Sequence, residues 1–307
     1  MNIDIRAVIN YGYIRILGQK KILKRIKGKK IIHHEKRIAI AISTNNTFIR
    51  QAKVMIASLE NAGCIVDLYI LNINLIDEEI ENIKKAVPDN VNINLVKITE
   101  KALHKLKISK KWPIEAWARI LIPELIDEDI VIYLDVDTVI VDSLLPLIEK
   151  MTTAPIAGVL STYYFKSGLS SVMPHAVNSG VLILHKKELN VLNFSNKILS
   201  YAKENSEKLR MPDQDSINMV CKNHMKNILP RFNAMNYFYA NTYRTISRDT
   251  ASGYYTKKDF NMALFHPAIL HFNGGPFARP WMKKGIKHPY YKIYQHYNIK
   301  IESDDRK

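Results

Sequence analysis

Three short runs of apolar and β-branched residues alternate with segments of helical spacing between residues 37 and 98. The runs are RIAIAIS (Arg37–Ser43), CIVDLYILN (64–72) and VNINLVKI (91–98). The first helical segment ends at Gly63, and the second begins with three acids from Asp77, which suit the positive end of a helix dipole. This alternation predicts an α/β fold with a parallel sheet and helices on its faces. Ligands of such sheets bind outside the carboxyl ends of the strands.

The rest of the chain continues the same pattern. Trp112–Ile126 has helical spacing with a break at Pro123, and IVIYLDVDTVIVDSL (130–144) is predicted to be a fourth strand. Two further strands, PIAGVLS and NSGVLILH, precede a helix that begins near Pro212. A late strand, AILHFNGG, runs into a glycine-rich loop, and residues 301–307 are predicted to form a frayed tail.

Composition restricts the class of protein. With 307 residues, 47% of them hydrophobic, the chain can form one large or two small domains with a true core. Cys64 and Cys221 are too few for a disulfide framework and suit a reducing compartment. No stretch of about 18 apolar residues predicts a membrane-spanning helix, and the N-terminus lacks the features of a signal peptide. We therefore expect a cytoplasmic protein, either soluble or peripheral on the inner face of the membrane.

The net charge of +16 is concentrated at the N-terminus, where residues 1–37 hold eleven Lys and Arg against two acids. Six apolar side chains are predicted to share one broad face of a helix interrupted at Gly18: Ile14, Ile16, Leu17, Ile22, Leu23 and Ile26. Such a helix would place residues 1–30 on an anionic membrane surface. The alternative is a solvated basic arm over residues 1–35. No aromatic-interleaved basic patch or known motif supports binding to nucleic acid.

Two aspartates, Asp135 and Asp137, follow five apolar residues of the predicted fourth strand. Residues at i and i+2 of an extended chain point to the same face, where two like charges repel each other. A divalent metal resolves that repulsion, and Mg²⁺ or Mn²⁺ held by carboxylates can bind phosphate oxygens in turn. The alternative is a pair of turn-forming aspartates that cap a loop.

The segment YLDVDTVI also fits the D-x-D-x-T pattern of haloacid-dehalogenase-like phosphatases, in which the first aspartate, here Asp135, accepts the phosphoryl group. That motif normally lies on the first strand of the catalytic domain, whereas three predicted strands precede it here. No convincing acidic pair follows at a later strand end, because Asp304 and Asp305 lie in the predicted tail. The phosphatase therefore stands as an alternative interpretation.

Six sequence segments occur in a characteristic order between Lys36 and Trp281. They are IAIAISTNNTF with a following helix that ends in ASL, WARILIPELI, VIYLDVDTVIVDSL, NSGVLILH, PDQDSIN and HFNGGPFARPW. Together they resemble glycosyltransferase family 8, which includes bacterial lipopolysaccharide glucosyl- and galactosyltransferases and glycogenin. The resemblance implies a GT-A fold, with a Rossmann-like, mixed and mostly parallel central sheet, in a catalytic domain over residues 36–300. It also implies a UDP-sugar donor and a divalent metal, usually Mn²⁺, with Mg²⁺ as the alternative.

The resemblance assigns a metal site and a cation. Asp135, Asp137 and His271 match the metal ligands of the family. Two carboxylates and one imidazole leave positions for two diphosphate oxygens, and the imidazole favours Mn²⁺ over Mg²⁺. Arg279 stands in ARPW where the family usually has Lys, and it would bind the diphosphate of the leaving UDP. On residue type alone, His271 would be an ordinary loop residue.

The remaining implied roles concern the donor and the reaction centre. The implied donor-binding residues are Ser43, Asn45, Arg119, Asp135, Val136, Asn178, Gly274, Gly275 and Arg279. The two glycines would let backbone N–H groups approach phosphate, unless they form only a flexible turn. Asp213 and Gln214 match residues beside the sugar hydroxyls and the anomeric carbon, and together with Arg279 they are the implied catalytic residues. The alternatives are a surface position for Arg119 and a helix cap for Asp213.

These assignments predict a metal-dependent, retaining glycosyltransferase of cell-surface polysaccharide synthesis. It would move a hexose, glucose or galactose, from a UDP-sugar to a glycan or lipid-linked glycan acceptor. Retention by double displacement needs a nucleophile at C1, for which Asp213 and Gln214 are the candidates. A same-face mechanism assisted by UDP needs no such nucleophile, and we expect this second route. A non-catalytic membrane- or polymer-binding protein on the same fold is the alternative, against which the complete D-x-D, His and Arg set argues.

Overall fold

The computed structural model describes residues 7–28, 34–99, 101–102, 113–149, 154–161, 175–249 and 255–304. Within these residues the strands are β1 His34–Thr44, β2 Cys64–Asn72, β3 Val91–Lys97, β4 Ile130–Leu134, β5 Thr138–Ile140, β6 Ile156–Leu160, β7 Val177–His185, β8 Met225–Asn227, β9 Ala234–Met235 and β10 Ile269–His271. Seven of these described strands form a central sheet in the order β3-β2-β1-β4-β7-β6-β8. The other three form a small sheet in the order β5-β10-β9.

The central sheet is mixed and mostly parallel, as predicted. β1 pairs in parallel with both β2 and β4, β2 with β3, and β6 with β8. Within the described part of the central sheet, only β7 runs antiparallel to its neighbours, β4 and β6. Ala41 of β1 is paired with Tyr133 of β4, so Ser43 and Asp135 lie at the same edge of the sheet, where the carboxyl ends of β1 and β4 meet. The strand order reverses here, which is where α/β sheets bind ligands.

The described helices pack on both faces of the central sheet or beside the small one. The α-helices are α1 Val8–Tyr13, α2 Gln19–Gly28, α3 Ile49–Ser58, α4 Asp77–Lys84, α5 Ile114–Ala118, α6 Ile122–Leu125, α7 Leu145–Glu149, α8 Lys186–Val191, α9 Phe194–Glu204, α10 Pro212–Cys221, α11 Asn236–Ala240, α12 Tyr243–Asp249, α13 Lys257–Phe265 and α14 Tyr291–Asp304. A π-helical turn, Ile14–Gly18, joins α1 to α2. Shorter 3₁₀ turns occupy Asn46–Phe48, Leu59–Asn61, Arg119–Leu121 and Pro230–Asn233. None of the described helices is long and apolar enough to cross a membrane.

The alternation of residue size along β1 determines what packs on each face of the sheet. Ile38, Ile40 and Ile42 point to one face, where they join the apolar side of α3. Ala39 and Ala41 point to the other, where Trp117 and its neighbours pack. Small side chains in β1 therefore let the helical segment that carries Arg119 lie close to the sheet.

The predicted fourth strand is shorter than its apolar pattern indicated. β4 ends at Leu134, and the backbone N–H and the hydroxyl of Thr138 donate to the carbonyl oxygen of Asp135 at 3.2 and 2.8 Å. These hydrogen bonds close a turn, after which β5 belongs to the small sheet. Asp135 and Asp137 therefore come together through a turn, and not on one face of a continuous strand as predicted.

Two other predicted boundaries differ from the structure. The break in the Trp112–Ile126 segment falls at the 3₁₀ turn Arg119–Leu121, because Pro123 lies in the first turn of α6, where its missing N–H costs nothing. At the C-terminus, α14 extends to Asp304 and buries Ile301, so the helix occupies part of the predicted tail. Residues 305–307 lie outside the described part of the chain.

The described part of the basic N-terminal segment, residues 7–28, packs against the rest of the described structure. Ile14, Ile22 and Ile26 are buried in the same core as aromatic residues of α13 and the C-terminal region. Arg25 donates to the carbonyl oxygen of Val141, and the Tyr11 hydroxyl donates to that of Lys287 at 2.8 Å. The predicted single apolar face is therefore wrong. Ile16 and Leu17 lie on the opposite, exposed side of the segment, with exposed fractions of 69% and 52%.

Candidate active site

A cleft of about 490 Å³ lies at the carboxyl ends of β1 and β4. Its lining comes from segments that are far apart in the sequence: Ser43, Phe48, Pro113, Glu115, Ala116, Arg119, Tyr133, Asp135, Val136, Asp137, Asn178, Ser179, Met211, Asp213, Gln214, His271, Asn273, Gly274, Arg279 and Trp281. Most of the residues that the resemblance implicates thus meet in one cleft. Asn45 and Gly275 are the two predicted site residues that do not line it.

Asp135, Asp137 and His271 form a cluster, called here the metal cluster, whose candidate ligand atoms all lie within 4.8 Å of one another. β10 pairs with β5 so that His271 faces Thr138, which brings the imidazole beside the Asp135–Asp137 turn. Nε2 of His271 lies 3.1 Å from Oδ1 of Asp137. Two carboxylates and one imidazole are a ligand set that divalent Mn²⁺ or Mg²⁺ accepts.

Two further observations fit a bound cation at the metal cluster. Oδ1 of Asp137 is buried, and although Nε2 of His271 lies 3.1 Å away, no described residue donates a hydrogen bond of good geometry to this oxygen. Gly180 of β7 leaves the space open, because a Cβ atom there would lie 2.4 Å from Cε1 of His271 and 2.6 Å from Oδ2 of Asp135. A buried carboxylate oxygen without a partner costs free energy that a coordinated cation would recover.

The environment shifts the pKa values of the two carboxyl groups of the metal cluster in opposite directions. Burial raises the pKa of Asp135, although the Arg119 guanidinium opposes the shift. Burial alone would also raise the pKa of Asp137, but the protonated form of His271, together with Arg279, outweighs burial and lowers that pKa below its usual value. A divalent cation would favour the ionised form of both groups.

Arg119 is a buried residue that joins the two acidic parts of the cleft. Its guanidinium lies 2.9 Å from Asp135 and 3.5 Å from Asp213, and it donates to the carbonyl oxygen of Ser179 at 2.6 Å. The guanidinium carbon also lies 4.4 Å from the ring centroid of Tyr133, whose hydroxyl donates to Asp135 at 2.9 Å. Arg119 is therefore not the surface helix residue of the alternative interpretation, and most of its donors hold protein groups in place.

Asp213 and Gln214 lie in the first turn of α10, and both are buried. Asp213 accepts a hydrogen bond from the Ser179 hydroxyl at 3.1 Å and faces Arg119. The capping contacts belong to Asp215, which accepts from the backbone N–H groups of Arg210 and Met211 at 2.9 Å each. The helix-cap alternative thus describes Asp215, whereas Asp213 faces the cleft.

A chain of side-chain amides links α10 to the metal cluster. The backbone N–H of Ser179 donates to Oε1 of Gln214 at 3.1 Å, and the backbone N–H of Gly180 donates to Oδ1 of Asn178 at 3.1 Å. These backbone donors identify the two oxygens as acceptors. Nδ2 of Asn178 therefore donates to Gln214 at 2.9 Å, and Nδ2 of Asn233 donates to Asn178 at 2.9 Å. Oδ1 of Asn233 is left facing His271.

The end of the cleft near β1 is lined by only one of the two residues predicted there, Ser43 and Asn45. Ser43 lines the cleft, and its buried hydroxyl has no hydrogen-bond partner among the described residues. Asn45 instead accepts from the backbone N–H of Thr47 at 3.0 Å and donates to Glu115 at 2.8 Å. The amide of Asn45 thus caps the 3₁₀ turn and positions Glu115, and its contact with the donor stays a prediction. The Glu115 carboxylate lines this end of the cleft.

The glycine-rich loop after β10 brings a cation to the cleft. Arg279 is exposed, and its guanidinium carbon lies 5.8 Å from the ring centroid of Trp281. Gly274 also lines the cleft, and a Cβ atom at this residue would meet open space. Gly275 has a φ of +150°, which favours glycine, but its role is in the turn of the loop and not in the lining.

Gly180, Asn233 and Glu115 are among the residues of the site that were not identified from the sequence. Gly180 stands inside the NSGV segment, so its position beside a predicted donor contact was the available signal. Asn233 and Glu115 carry no motif signal, because they reach the site only through the packing of the Pro230–Asn233 turn and α5. Their contributions depend on long-range contacts that no local pattern specifies.

Comparisons with known proteins agree with this geometry. The sequence profile described as Glycosyl transferase family 8 matches residues 39–285. General stress protein A of Bacillus subtilis (strain 168) is 30% identical over 191 residues, which are 59% of this chain and 64% of that protein. Glycosyltransferase GlyF of Streptococcus pneumoniae serotype 4 (strain ATCC BAA-334 / TIGR4) is 22% identical over 200 residues, which are 65% of this chain and 49% of that protein. The chain therefore spans less than two thirds of the length of these curated relatives.

Solved structures provide a second comparison. The galactosyltransferase LgtC in complex with donor and acceptor sugar analogs has a TM-score of 0.70 at 17% identity, over 86% of this chain and 96% of that chain. GlyE of Streptococcus pneumoniae TIGR4 has a TM-score of 0.62 at 20% identity, over 86% of this chain and 61% of that chain. At these identities the likeness establishes the fold, which is the GT-A fold of these glycosyltransferases. Since the family profile covers most of the chain, and the fold agrees with it, the protein belongs to glycosyl transferase family 8.

Proposed function

We propose that this protein is a metal-dependent, retaining glycosyltransferase that moves a hexose from a UDP-sugar to a hydroxyl group of a glycan or lipid-linked glycan. The observation that carries the proposal is the meeting, in one cleft, of the metal cluster, the exposed cation of Arg279 and the buried polar pair Asp213 and Gln214. A divalent site beside an exposed guanidinium suits a diphosphate, and buried polar side chains suit sugar hydroxyls.

The metal cluster would hold Mn²⁺, or Mg²⁺ as the alternative, through Asp135, Asp137 and His271. When bound, such a cation neutralises charge that develops on the diphosphate oxygens of the leaving group. Arg279 would add a second positive charge at the same diphosphate, from the loop that follows His271. Arg119 would act indirectly, because its guanidinium orients Asp135 and Asp213.

The hydrogen bonds of the two nucleophile candidates support the same-face route to retention. Asp213 faces Arg119 and accepts from the Ser179 hydroxyl. Oε1 of Gln214 accepts from both Asn178 and the Ser179 backbone N–H. These contacts hold Oδ2 of Asp213 and Oε1 of Gln214 in fixed positions within the cleft, which suits groups that bind a sugar. We therefore propose that both residues bind and orient the sugar, while UDP itself assists the acceptor hydroxyl.

The donor is proposed to be a UDP-hexose, with glucose or galactose as the sugar. LgtC is a galactosyltransferase whose complex contains donor and acceptor sugar analogs, which supports a sugar donor and a sugar acceptor for this chain as well. At the other end of the cleft, Glu115 and Ser43 could accept hydrogen bonds from the uracil N–H or the ribose hydroxyls. The role in cell-surface polysaccharide synthesis is part of the same proposal. The phosphatase alternative is abandoned, because the family profile covers the whole D-x-D region.

Thermal unfolding with a nucleotide panel tests the proposal. UDP, GDP, ADP, CMP and their common sugars would each be added with and without Mn²⁺. A ligand at ~100 times its Kd adds about 2.7 kcal/mol to the free energy of unfolding. We expect a metal-dependent rise of the melting temperature with UDP and UDP-sugars alone, together with slow Mn²⁺-dependent release of UDP from one UDP-sugar. No rise with any nucleotide would reject the donor site and favour the non-catalytic binding protein.

A further inference from the structure

Exposed apolar side chains are concentrated on the N-terminal segment. Among the described residues, twelve large hydrophobic side chains are exposed, and five of them lie on this segment: Val8, Ile9, Tyr13, Ile16 and Leu17. Ile9 is 81% exposed. The opposite side of the same segment is buried in the core, so the segment is held in one orientation while this apolar side faces solvent. An exposed patch of this kind marks an interaction surface.

Positive charge surrounds the exposed apolar side. Residues 7–28 contain six Lys and Arg and no acid. Lys20, Lys21 and Lys24 are exposed and follow Leu17 at spacings of three, four and seven, which places them on the same helical side as Leu17. The two arginines have partners within the protein: Arg25 pairs with Asp142 at 3.2 Å, and Arg15 donates to the Tyr11 hydroxyl at 2.8 Å.

A groove continues this surface onto α13. The groove measures about 780 Å³ and lies between the N-terminal segment and α13. Its apolar lining includes Ile9, Tyr13, Leu17, Met262 and Phe265, and its basic lining consists of Lys21, Lys257 and Lys258. The ring of Tyr13 meets the ring of Phe265 edge-on, with centroids 5.5 Å apart. The groove between the N-terminal segment and α13 is thus lined by both apolar and basic side chains.

The surface also adjoins the loop that carries Arg279 and Trp281 to the catalytic cleft. The ring of Tyr11 stacks on that of Phe277, with centroids 5.7 Å apart. Further along, the loop folds back so that the N–H of Ala278 donates to the carbonyl oxygen of Ile286 at 2.8 Å. Met282 and Ile286 are exposed on this loop, and lysines 283, 284 and 287 are next to them in the sequence. The loop therefore has one side in the cleft and a second, apolar and basic side in solvent.

We propose that this surface, formed by the exposed side of residues 8–24 with Lys257 and Lys258 of α13, docks on a bilayer that contains anionic lipids. Apolar side chains would enter the headgroup region, while the lysines would neutralise lipid phosphates. A second copy of the chain fits less well, because symmetric pairing of this face would bring lysines against lysines. The consequence for the substrate rests on the proposed function: a docked enzyme would meet an acceptor that is linked to a lipid.

Co-sedimentation with vesicles tests the docking without using the catalytic site. The full chain would be mixed with vesicles of phosphatidylcholine, with or without phosphatidylglycerol, at low and high salt. We expect binding only to the anionic vesicles, weakened by salt. The triple variant Lys20→Gln, Lys21→Gln and Lys24→Gln should bind about a hundredfold more weakly, since each lysine near such a surface contributes roughly a factor of five. Ile16→Ser with Leu17→Ser should also lose most of the binding.

Control variants separate this surface from general effects of charge and polarity. Val191 is 77% exposed on α8, and Lys222 and Lys226 are exposed near β8. Val191→Ser and the double variant Lys222→Gln with Lys226→Gln should bind vesicles like the wild type. Equal binding of the surface variants and the wild type would overturn the proposal. So would wild-type binding that is independent of anionic lipid, or a dimer in solution that Ile16→Ser with Leu17→Ser dissociates.

Release of UDP from the UDP-sugar, measured in solution, distinguishes failure of the docking from failure of the proposed function. The surface variants should release UDP as fast as the wild type, because none of the changed residues lines the catalytic cleft. A wild type that releases UDP but does not sediment with vesicles would overturn the docking alone. A wild type that sediments but releases no UDP would support the docking and contradict the proposed function.

Discussion

Nδ1 of His271 lies 2.8 Å from Oδ1 of Asn233. The Asn233 oxygen can only accept, because its amide nitrogen already donates to Asn178. Nδ1 therefore carries a proton in both the charged and the neutral imidazole, and loss of the second proton from Nε2 leaves a lone pair that points toward Asp137 and the centre of the metal cluster. A histidine that binds metal through one nitrogen and donates through the other is typical of metal sites.

Replacement of Asn233 should therefore weaken metal binding although Asn233 is not itself a ligand. We expect Asn233→Leu to weaken Mn²⁺ binding by about 10- to 100-fold, since the tautomer and the ring orientation of His271 lose their support. Isothermal titration with Mn²⁺ alone measures this directly. Asn90→Leu is the matched control, because Asn90 is also buried and its amide donates to the carbonyl oxygens of Leu59 and Cys64, away from the cluster. Equal Mn²⁺ affinity of Asn233→Leu and the wild type would contradict the proposed positioning.

Gly180→Ala should disturb the metal cluster by a steric clash alone. The added methyl group would lie 2.4 Å from Cε1 of His271 and 2.6 Å from Oδ2 of Asp135, distances that real Cβ atoms do not reach. The imidazole or the carboxylate must move, so we expect loss of most Mn²⁺-dependent stabilisation in thermal unfolding. Gly12→Ala is the control, because a Cβ atom at Gly12 meets nothing within 4 Å. A Gly180→Ala variant with an unchanged Mn²⁺ response would show that the cluster does not hold the cation.

Much of the fold and of the metal cluster could be predicted because the signals are local. The short, apolar and β-branched run around Ile40 indicated a strand, and Asp135 and Asp137 are separated by a single residue in the sequence. Gly180, Asn233 and Glu115 were missed because their importance comes from neighbours on other elements. Nothing in the residues next to Asn233 indicates that its amide will face His271.

The N-terminal segment illustrates a different limit of prediction from sequence periodicity. The pattern of Ile14, Ile16, Leu17 and Ile22 predicted a helix correctly, but periodicity does not reveal what covers an apolar residue. Ile14 and Ile22 pack in the protein core, and Ile16 and Leu17 face solvent. At about 100° per residue, Ile16 lies about 200° around the helix from Ile14, so these two residues could not share one face even in a regular helix.

Asp137→Ala should abolish metal-dependent turnover while the fold is retained. Asp137 supplies a carboxylate to the cluster, and its side chain takes no part in the apolar core. We expect the variant to unfold cooperatively, with no rise of the melting temperature on addition of Mn²⁺ and UDP. Asp142→Ala serves as the control, because Asp142 pairs with Arg25 and Arg231 outside the cleft. Undiminished Mn²⁺-dependent release of UDP from Asp137→Ala would reject the metal site.

Glu115→Gln should weaken UDP binding without changing Mn²⁺ binding. The Glu115 carboxylate lies at the end of the cleft near Ser43. Glu115 is not one of the three residues of the metal cluster. Loss of a hydrogen bond to a charged acceptor typically weakens binding by about tenfold or more. Titration of UDP into the Mn²⁺-loaded protein measures the change, with Glu124→Gln at an exposed position as the control. If both variants bind UDP equally well, Glu115 does not contact the nucleotide.

His288 should make the protein less stable in mild acid. It is buried among the rings of Tyr239, Phe272 and Phe277, and burial lowers its pKa from 6.5 to about 3. Between these two values the unfolded chain binds a proton that the folded chain does not, so the free energy of unfolding falls as the pH falls. The slope from this one group is about 1.4 kcal/mol per pH unit, and it vanishes above pH 6.5, where both states are neutral.

Replacement of His288 by a residue that does not titrate removes this dependence. We expect His288→Gln to lose stability at neutral pH, because the backbone N–H of Tyr290 donates to the imidazole at 3.0 Å. Its free energy of unfolding should nevertheless fall less steeply toward low pH than that of the wild type. Urea unfolding at about pH 7.5 and about pH 5 measures both quantities. His224→Gln, at an exposed position, should keep the wild-type slope. An equally steep fall in His288→Gln would mean that other groups, such as His185 and His296, whose pKa values burial also lowers, account for the acid sensitivity.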